Sequence, residues 1–237
     1  MKEIHRIIQD RQSARVPFDP NRKVSRGDLK EILDAVRWTP TAHNMQNFSI
    51  IVVDDREVLE IIGNIKSRIS EVFLRENYEQ LSFSKEELLQ KKTGILGSMF
   101  PPSWVDPTKM TEAASASAPM PLTQSIRGSP CILIVVYDPK KRAPASEGDV
   151  LGFMSLGCVM ANMWLMASSL GISLQILSTF AAPSVEKKVK QVLGIPEQLK
   201  IAYTCRLGYP TGSTKYLRVR RDIEDFAHYN KFGNKNI

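Results

Sequence analysis

Between Asp149 and Glu186 the chain carries no Asp, Glu, Lys or Arg. A helix through such a stretch is apolar around its whole circumference. It therefore needs either a bilayer or a core that covers it on every side. By hydropathy alone, Leu151–Leu170 is long enough to span a membrane. Gly152, Ser155, Gly157, Asn162, Ser168 and Ser169 interrupt that span, and the sequence holds no second segment like it. The reading that follows is a helix buried on all sides, at the centre of a large or obligately dimeric core, with no membrane partner.

The flanking sequence has the patterning of a soluble domain. Ser25 and Asp28 open a stripe at Leu29, Ile32, Leu33 and Val36, an amphipathic helix closed by Pro40. Phe48–Val53 is a β-branched run bounded by Asp54 and Asp55, hence a buried strand, and Val58, Ile61, Ile62, Ile65 and Ile69 mark a second helix. Cys131–Tyr137, Leu174–Leu177 and Lys200–Leu207 read as further strands, the last two separated by a helix from about Ser184 to Leu193. With 237 residues, one core is sufficient, so residues 1–237 are expected to form a single domain. From about Tyr78 to Ser125 the pattern weakens, apart from a short helical stretch at Lys85–Lys92. An irregular segment of that length inside a domain (78–125) suggests a lid, with Phe100, Trp104, Met110 and Met120 as its apolar contacts.

Cys131, Cys158 and Cys205 stand in apolar runs without metal-ligand spacing, which suits buried thiols in a reducing compartment. The charged start, Met1-Lys2-Glu3-Ile4-His5-Arg6, has no apolar leader, so a cytoplasmic location is expected. The net charge of +7 favours anionic partners. Basic residues are scattered, however, and form only short clusters such as Lys187-Lys188 and Arg218-Val219-Arg220-Arg221. No recognition-helix arrangement, RNA-binding aromatic motif or zinc spacing supports nucleic-acid binding, whereas a phosphate-bearing small molecule would use the same charges.

Two short motifs carry chemistry. Arg11, Ser13 and Arg15 alternate, so an extended backbone points two guanidinium groups and a hydroxyl the same way, a set suited to phosphate. Asn44 and Gln46, between a helix end and a strand, offer amides to a polyol or a heteroaromatic edge. His43 has no nucleophile in view and reads as a loop histidine.

In this order the motifs resemble the nitroreductase family, in which Arg-x-Ser-x-Arg near the N-terminus is followed by Asn-x-Gln before the first core strand. Gly157–Gly171 is similar to the family's long central helix, and Leu193-Gly194-Ile195-Pro196 and Leu207-Gly208-Tyr209-Pro210 to its C-terminal signposts. Arg218–Arg221, running into Phe226–Tyr229, is similar to its basic phosphate-binding element and tail. The resemblance implies an α+β, three-layer fold with a mainly antiparallel central sheet flanked by helices. It also implies an obligate homodimer whose long central helix lies at the interface, with FMN held between subunits.

Carried over by residue, Arg11, Ser13 and Arg15 would contact the phosphate, ribityl chain and pyrimidine edge of FMN. Arg218 and Arg220 would complete the phosphate site, and Asn44 and Gln46 would arrive from the partner subunit. Leu177, Ser178 and Thr179 would form the strand end whose backbone, at Ser178, positions flavin N5, so no side chain is catalytic. Whether Gln124 or a neighbour touches the flavin is left open.

The implied activity is that of an NAD(P)H-dependent oxidoreductase, with NADH or NADPH reducing the flavin. A nitroaromatic, quinone or similar small-molecule acceptor then reoxidises it by a ping-pong mechanism. Asn47 stands where the family usually has proline, and Ser178-Thr179 replaces an acidic-glycine pair. These departures leave open other acceptor chemistries on the same fold, namely reductive dehalogenation or enone reduction, and a non-catalytic flavin- or nucleic-acid-binding protein is the remaining alternative.

Overall fold

Alternation along the central strand sets the architecture. In Cys131–Tyr137, Cys131, Leu133 and Val135 enter one apolar cluster and Ile132, Ile134 and Val136 another. A strand that is apolar on both faces needs cover on both sides, and the chain supplies helices for each. The computed structural model describes residues 3–76, 82–99, 106, 108–116, 120–144 and 148–235. It divides into two units, residues 1–67 with 121–214, and residues 68–120 with 215–237.

In the first unit the strands are β1 (Ser49–Val53), β2 (Cys131–Tyr137), β3 (Ser173–Leu177) and β4 (Lys200–Gly208). They form one antiparallel sheet in the order β1-β2-β4-β3. The register pairs Ile51 with Ile134, Ile134 with Thr204, and Ile176 with Cys205. The helices are α1 (Glu3–Asp10), α2 (Arg26–Arg37), α3 (Arg56–Gly63), α4 (Thr123–Ile126), α5 (Val150–Ser169) and α6 (Pro183–Leu193). Helices α2 and α5 cover one face, while α3, α4 and α6 supply Ile62, Ile126, Val185 and Val189 to the other. The expected three-layer α+β arrangement is therefore present. Burial pushes the thiols of Cys131 and Cys205, both in the sheet, up to about 12.

Several elements follow from local chemistry. Ser25 Oγ accepts from the Asp28 N–H at 3.0 Å and starts α2. Gly208 ends β4 where a Cβ would stand 2.7 Å from Pro130 Cδ and 2.9 Å from Phe18 Cδ2, which accounts for the glycine of Leu207-Gly208-Tyr209-Pro210. One expectation needs correction, and one is met only in part within a single chain. The helix expected to run through Ile69 stops at Gly63, because α4 packs there: a Cβ on Gly63 would lie 2.6 Å from Thr123 Cγ2. Ile65 instead accepts a bond from the Leu122 N–H through its carbonyl. Helix α5, expected to be buried on all sides, buries only Leu156, Val159, Met163 and Ala167 within one chain. Val150, Phe153 and Met154 are more than half exposed.

In the second unit, Glu71–Arg75, Lys85–Lys91 and Met110–Ala116 are helices, and Ser82–Phe83 pairs in parallel with Ile95–Leu96. A reciprocal capping box between Ser84 and Glu87 starts the second helix. Leu74, Leu88 and Met110 are fully buried, so Met110 packs inside. Met120 is partly buried, and Phe100 and Trp104 lie outside the described residues. Lys92 is paired with Asp222, which ties the 215–237 segment to this unit.

Candidate functional site

At one edge of the sheet the chain leaves α1 and runs out along β3. Ser13 forms a parallel bridge with Leu174, and the Ala14 N–H donates to the Leu174 carbonyl at 3.1 Å. Ala14 is buried at 1% exposure, so strand alternation turns Ser13 and Arg15 away from the core. The Arg11 guanidinium lies 4.2 Å from the centroid of the Trp164 ring on α5, within cation–π range. Gln12 Nε2 donates to Thr214 Oγ1 at 3.1 Å. The segment heads in the same direction as β3, toward Leu177, after which Ser178 is exposed. Arg11, Ser13 and Arg15 are thus gathered on the same edge as Leu177, Ser178 and Thr179.

Beneath this segment lies a residue the sequence patterning did not single out. Arg206 on β4 is fully buried. Its Nη2 donates to the carbonyls of Ala14 and Val16, both at 2.8 Å, its Nη1 to Ile126 O at 3.1 Å, and its Nε to Gln175 Oε1 at 2.9 Å. The guanidinium also packs 4.2 Å from the Phe18 ring centroid. The available signal was a lone charge inside the apolar run Tyr203–Leu207.

The opposite edge carries the Asn44–Gln46 loop, which leads into β1. His43, Asn44 and Gln46 have φ of 50°, 53° and 45°, the left-handed region that side chains with a Cβ avoid. Such strain persists only where the surroundings enforce it. Here the Ala42 N–H donates to Ser155 Oγ at 3.0 Å, and the Gln46 N–H to Thr41 Oγ1 at 3.1 Å. Gln46 Nε2 donates to Asn44 Oδ1 at 3.0 Å, holding the two amides together at the surface. Asn47 gives its atypical position a purpose. Its Nδ2 donates to the carbonyls of Asp138 and Lys141 at 2.8 and 2.7 Å, and its Oδ1 accepts from the Asp138 N–H at 3.2 Å. A proline could make none of these bonds. Behind the loop a small hollow is lined by Met45, Phe48, Tyr137 and Asp149. There burial, with the Asp149 carboxylate adding to it, raises the Tyr137 phenol.

Helix α5 joins the two edges. Near its start Ser155 holds the Asn44–Gln46 loop, and toward its end Trp164 carries Arg11. Nine residues of helix span about 14 Å, the width of three strand spacings. Midway, Asn162 Nδ2 donates to Ala35 O at 3.3 Å and to Thr39 Oγ1 at 3.1 Å, which fixes the approach to the loop. One chain therefore holds the two sequence motifs at opposite edges of its sheet and does not bring them together. Arg218 and Arg220 belong to the second unit, where both are exposed, and Arg220 Nη1 donates to Val219 O. Gln124 is exposed on α4, and its carbonyl accepts from Arg127 Nε at 3.1 Å.

With this geometry in place, comparison with known proteins gives a consistent answer. The model of the Nitroreductase family matches residues 8–209. A relative from Archaeoglobus fulgidus, with the provisional designation NADH dehydrogenase/NAD(P)H nitroreductase, is 26% identical over 210 residues, 89% of this chain and 87% of that protein. Among solved structures, a nitroreductase with bound FMN from Bacteroides fragilis aligns with a TM-score of 0.59 at 20% identity, covering 93% of this chain and 96% of the other. A nitroreductase with bound FMN from Desulfitobacterium hafniense aligns with a TM-score of 0.59 at 19% identity, covering 98% and 100%.

Proposed function

The chain belongs to the nitroreductase family, and from that premise we propose that it is an FMN-dependent NAD(P)H oxidoreductase whose flavin sites are each built from two copies of the chain. When bound, FMN supplies the redox chemistry, taking two electrons from NADH or NADPH and passing them to a nitroaromatic, quinone or similar acceptor in a second half-reaction. The protein's part is to bind, orient and exclude water.

The residues of the strand edge fit that cofactor. Ser13 and Arg15 are turned out from an edge whose backbone is fixed by β3, and guanidinium and hydroxyl donors suit a phosphate and a polar ring edge. The exposed Ser178, directly after β3, would offer its backbone to the flavin ring. Arg15 would there stabilise negative charge on the reduced flavin. Arg218 and Arg220 are assigned to the phosphate by family resemblance.

The observation that carries the shared site is the separation of the two motifs along α5. In a two-fold dimer in which the two α5 helices pack antiparallel, the early half of one helix faces the late half of the other. Each Asn44–Gln46 loop then meets the partner's Arg11–Arg15 edge. The same packing covers Val150, Phe153 and Met154, which one chain leaves exposed. It gives the charge-free helix the apolar surroundings its sequence demands.

Purified protein is expected to be yellow and to oxidise NADH or NADPH when menadione or a nitroarene is present. Anaerobic titration with each nucleotide should bleach the flavin absorbance and identify the reductant. A colourless protein that takes up no FMN on reconstitution would overturn the reading. Replacing Arg11 and Arg220 together by alanine should weaken FMN retention, and unchanged retention would remove the phosphate assignment.

A further inference from the structure

Arg206 poses a physical problem. Burying a guanidinium costs several kcal/mol, and an apolar side chain would fill the same space in the sheet more cheaply. Its acceptors show what the charge does there. They come from three separate parts of the chain: Ala14 and Val16 in the N-terminal segment, Ile126 at the end of α4, and Gln175 in the middle of β3. The two N-terminal acceptors flank Arg15. One Nη2 group thus holds the backbone on both sides of that residue, while Nε holds the strand against which Ser13 is registered. A planar fork with fixed donor angles can set such a geometry; a single flexible ammonium cannot.

Packing reinforces the arrangement. The Phe18 ring lies against the guanidinium, and Phe18 is itself fixed by its N–H donating to Arg127 O at 2.9 Å. The buried charge also lies in a low-dielectric setting directly beneath a segment that carries Arg11 and Arg15. It therefore contributes to the positive potential of that edge with little solvent screening.

Resting on the flavin reading above, we infer that Arg206 is a positioning residue for the FMN site: it sets the register and angle at which Ser13 and Arg15 meet the cofactor, without touching it. The consequence is a specific loss in phosphate recognition, beyond any loss of stability, because small misplacements of binding groups are costly.

The test compares FMN and riboflavin binding to the 237-residue chain as wild type, R206M and R206K, alongside an R11A/R15A control. Far-ultraviolet circular dichroism and sedimentation would confirm fold and assembly. Wild type is expected to prefer FMN over riboflavin. R206M should weaken FMN binding by on the order of 100-fold and erase most of that preference, with R206K between the two because an ammonium reaches only some of the four acceptors. Folded R206M and R206K proteins that bind FMN within about threefold of wild type, with the preference intact, would overturn the inference while leaving the flavin reading standing. Wild type that binds no FMN would overturn both, whereas an R11A/R15A protein that binds it normally would overturn the inference and the assignment of that edge while leaving FMN binding standing. If R206M does not fold, R206K decides alone: a reduced FMN-over-riboflavin ratio supports the role, and an unchanged ratio refutes it.

Discussion

At Ser13 and Ala14 the backbone runs alongside β3, bonded to it and clamped from beneath by a buried guanidinium. Along His43–Gln46 it is folded tightly, with three of four residues at positive φ, and amide and hydroxyl side chains hold it from the sides. The first edge is relaxed in conformation and expensive in buried charge. The second contains no buried charge and is expensive in backbone strain. Two segments with one proposed task are thus preorganised by different means, and they should fail in different ways.

The largest difference should appear with proline at the extended edge. Ala14→Pro removes the donor to Leu174 and crowds a fully buried position, so it should destabilise the fold by about 3 kcal/mol or more. Urea unfolding measures this, and a loss under 1 kcal/mol would mean that the backbone bond does not hold the edge. At the other edge, Asn47→Ala removes three hydrogen bonds and should cost about 1–3 kcal/mol. It should also speed amide exchange in the Asn44–Gln46 loop while leaving that at Ser13 and Ala14 unchanged. Equal acceleration at both edges would break the comparison.

Glycine should have opposite signs at the two edges. His43→Gly relieves a left-handed residue and should stabilise by about 0.5–1 kcal/mol, whereas Ser13→Gly loosens an extended one and should destabilise by a similar about 0.5–1 kcal/mol. The same sign at both sites would argue against stored strain in the loop. The smallest effect, read close to pH 9, concerns the sheet between the edges. The Cys131 and Cys205 thiols rise from 9.0 to about 12 on burial, so the native state keeps protons that the unfolded chain loses. Their contribution is complete below pH 9 and is lost as pH rises from 9 toward 12. A melting temperature that declines above pH 9, and less steeply in Cys205→Ala, is the expected record.

Much of this was legible from residue order. The Ser25 cap and the strand at Cys131–Tyr137 each depend on neighbours close in sequence, and each is found where expected. The end of α3 at Gly63 depends on contact with Thr123, far along the chain, so periodicity carried the helix too far. The weak pattern around Ala113 concealed the helix Met110–Ala116, because a run of small residues has no apolar stripe to read. Arg206 acts through carbonyls from three separate segments, and its lone charge in a strand gave no direction to them. The left-handed residues at His43 and Gln46 carry none of the glycine that usually marks such turns. Helix α5 was legible only as a demand for apolar cover, which a single chain meets at Leu156, Val159, Met163 and Ala167 and not at Val150, Phe153 and Met154.

Whether two copies share each site across the edges joined by α5 can be tested by mixing subunits. One protein carries R11A and R15A, and the other carries N44A and Q46A. Each alone should retain little FMN. After reassortment, every mixed dimer pairs the intact edge of one chain with the intact loop of the other, so about a quarter of all sites should recover flavin if association is random and two-fold. Flavin binding that never exceeds the level of the two separate parents would contradict the shared site.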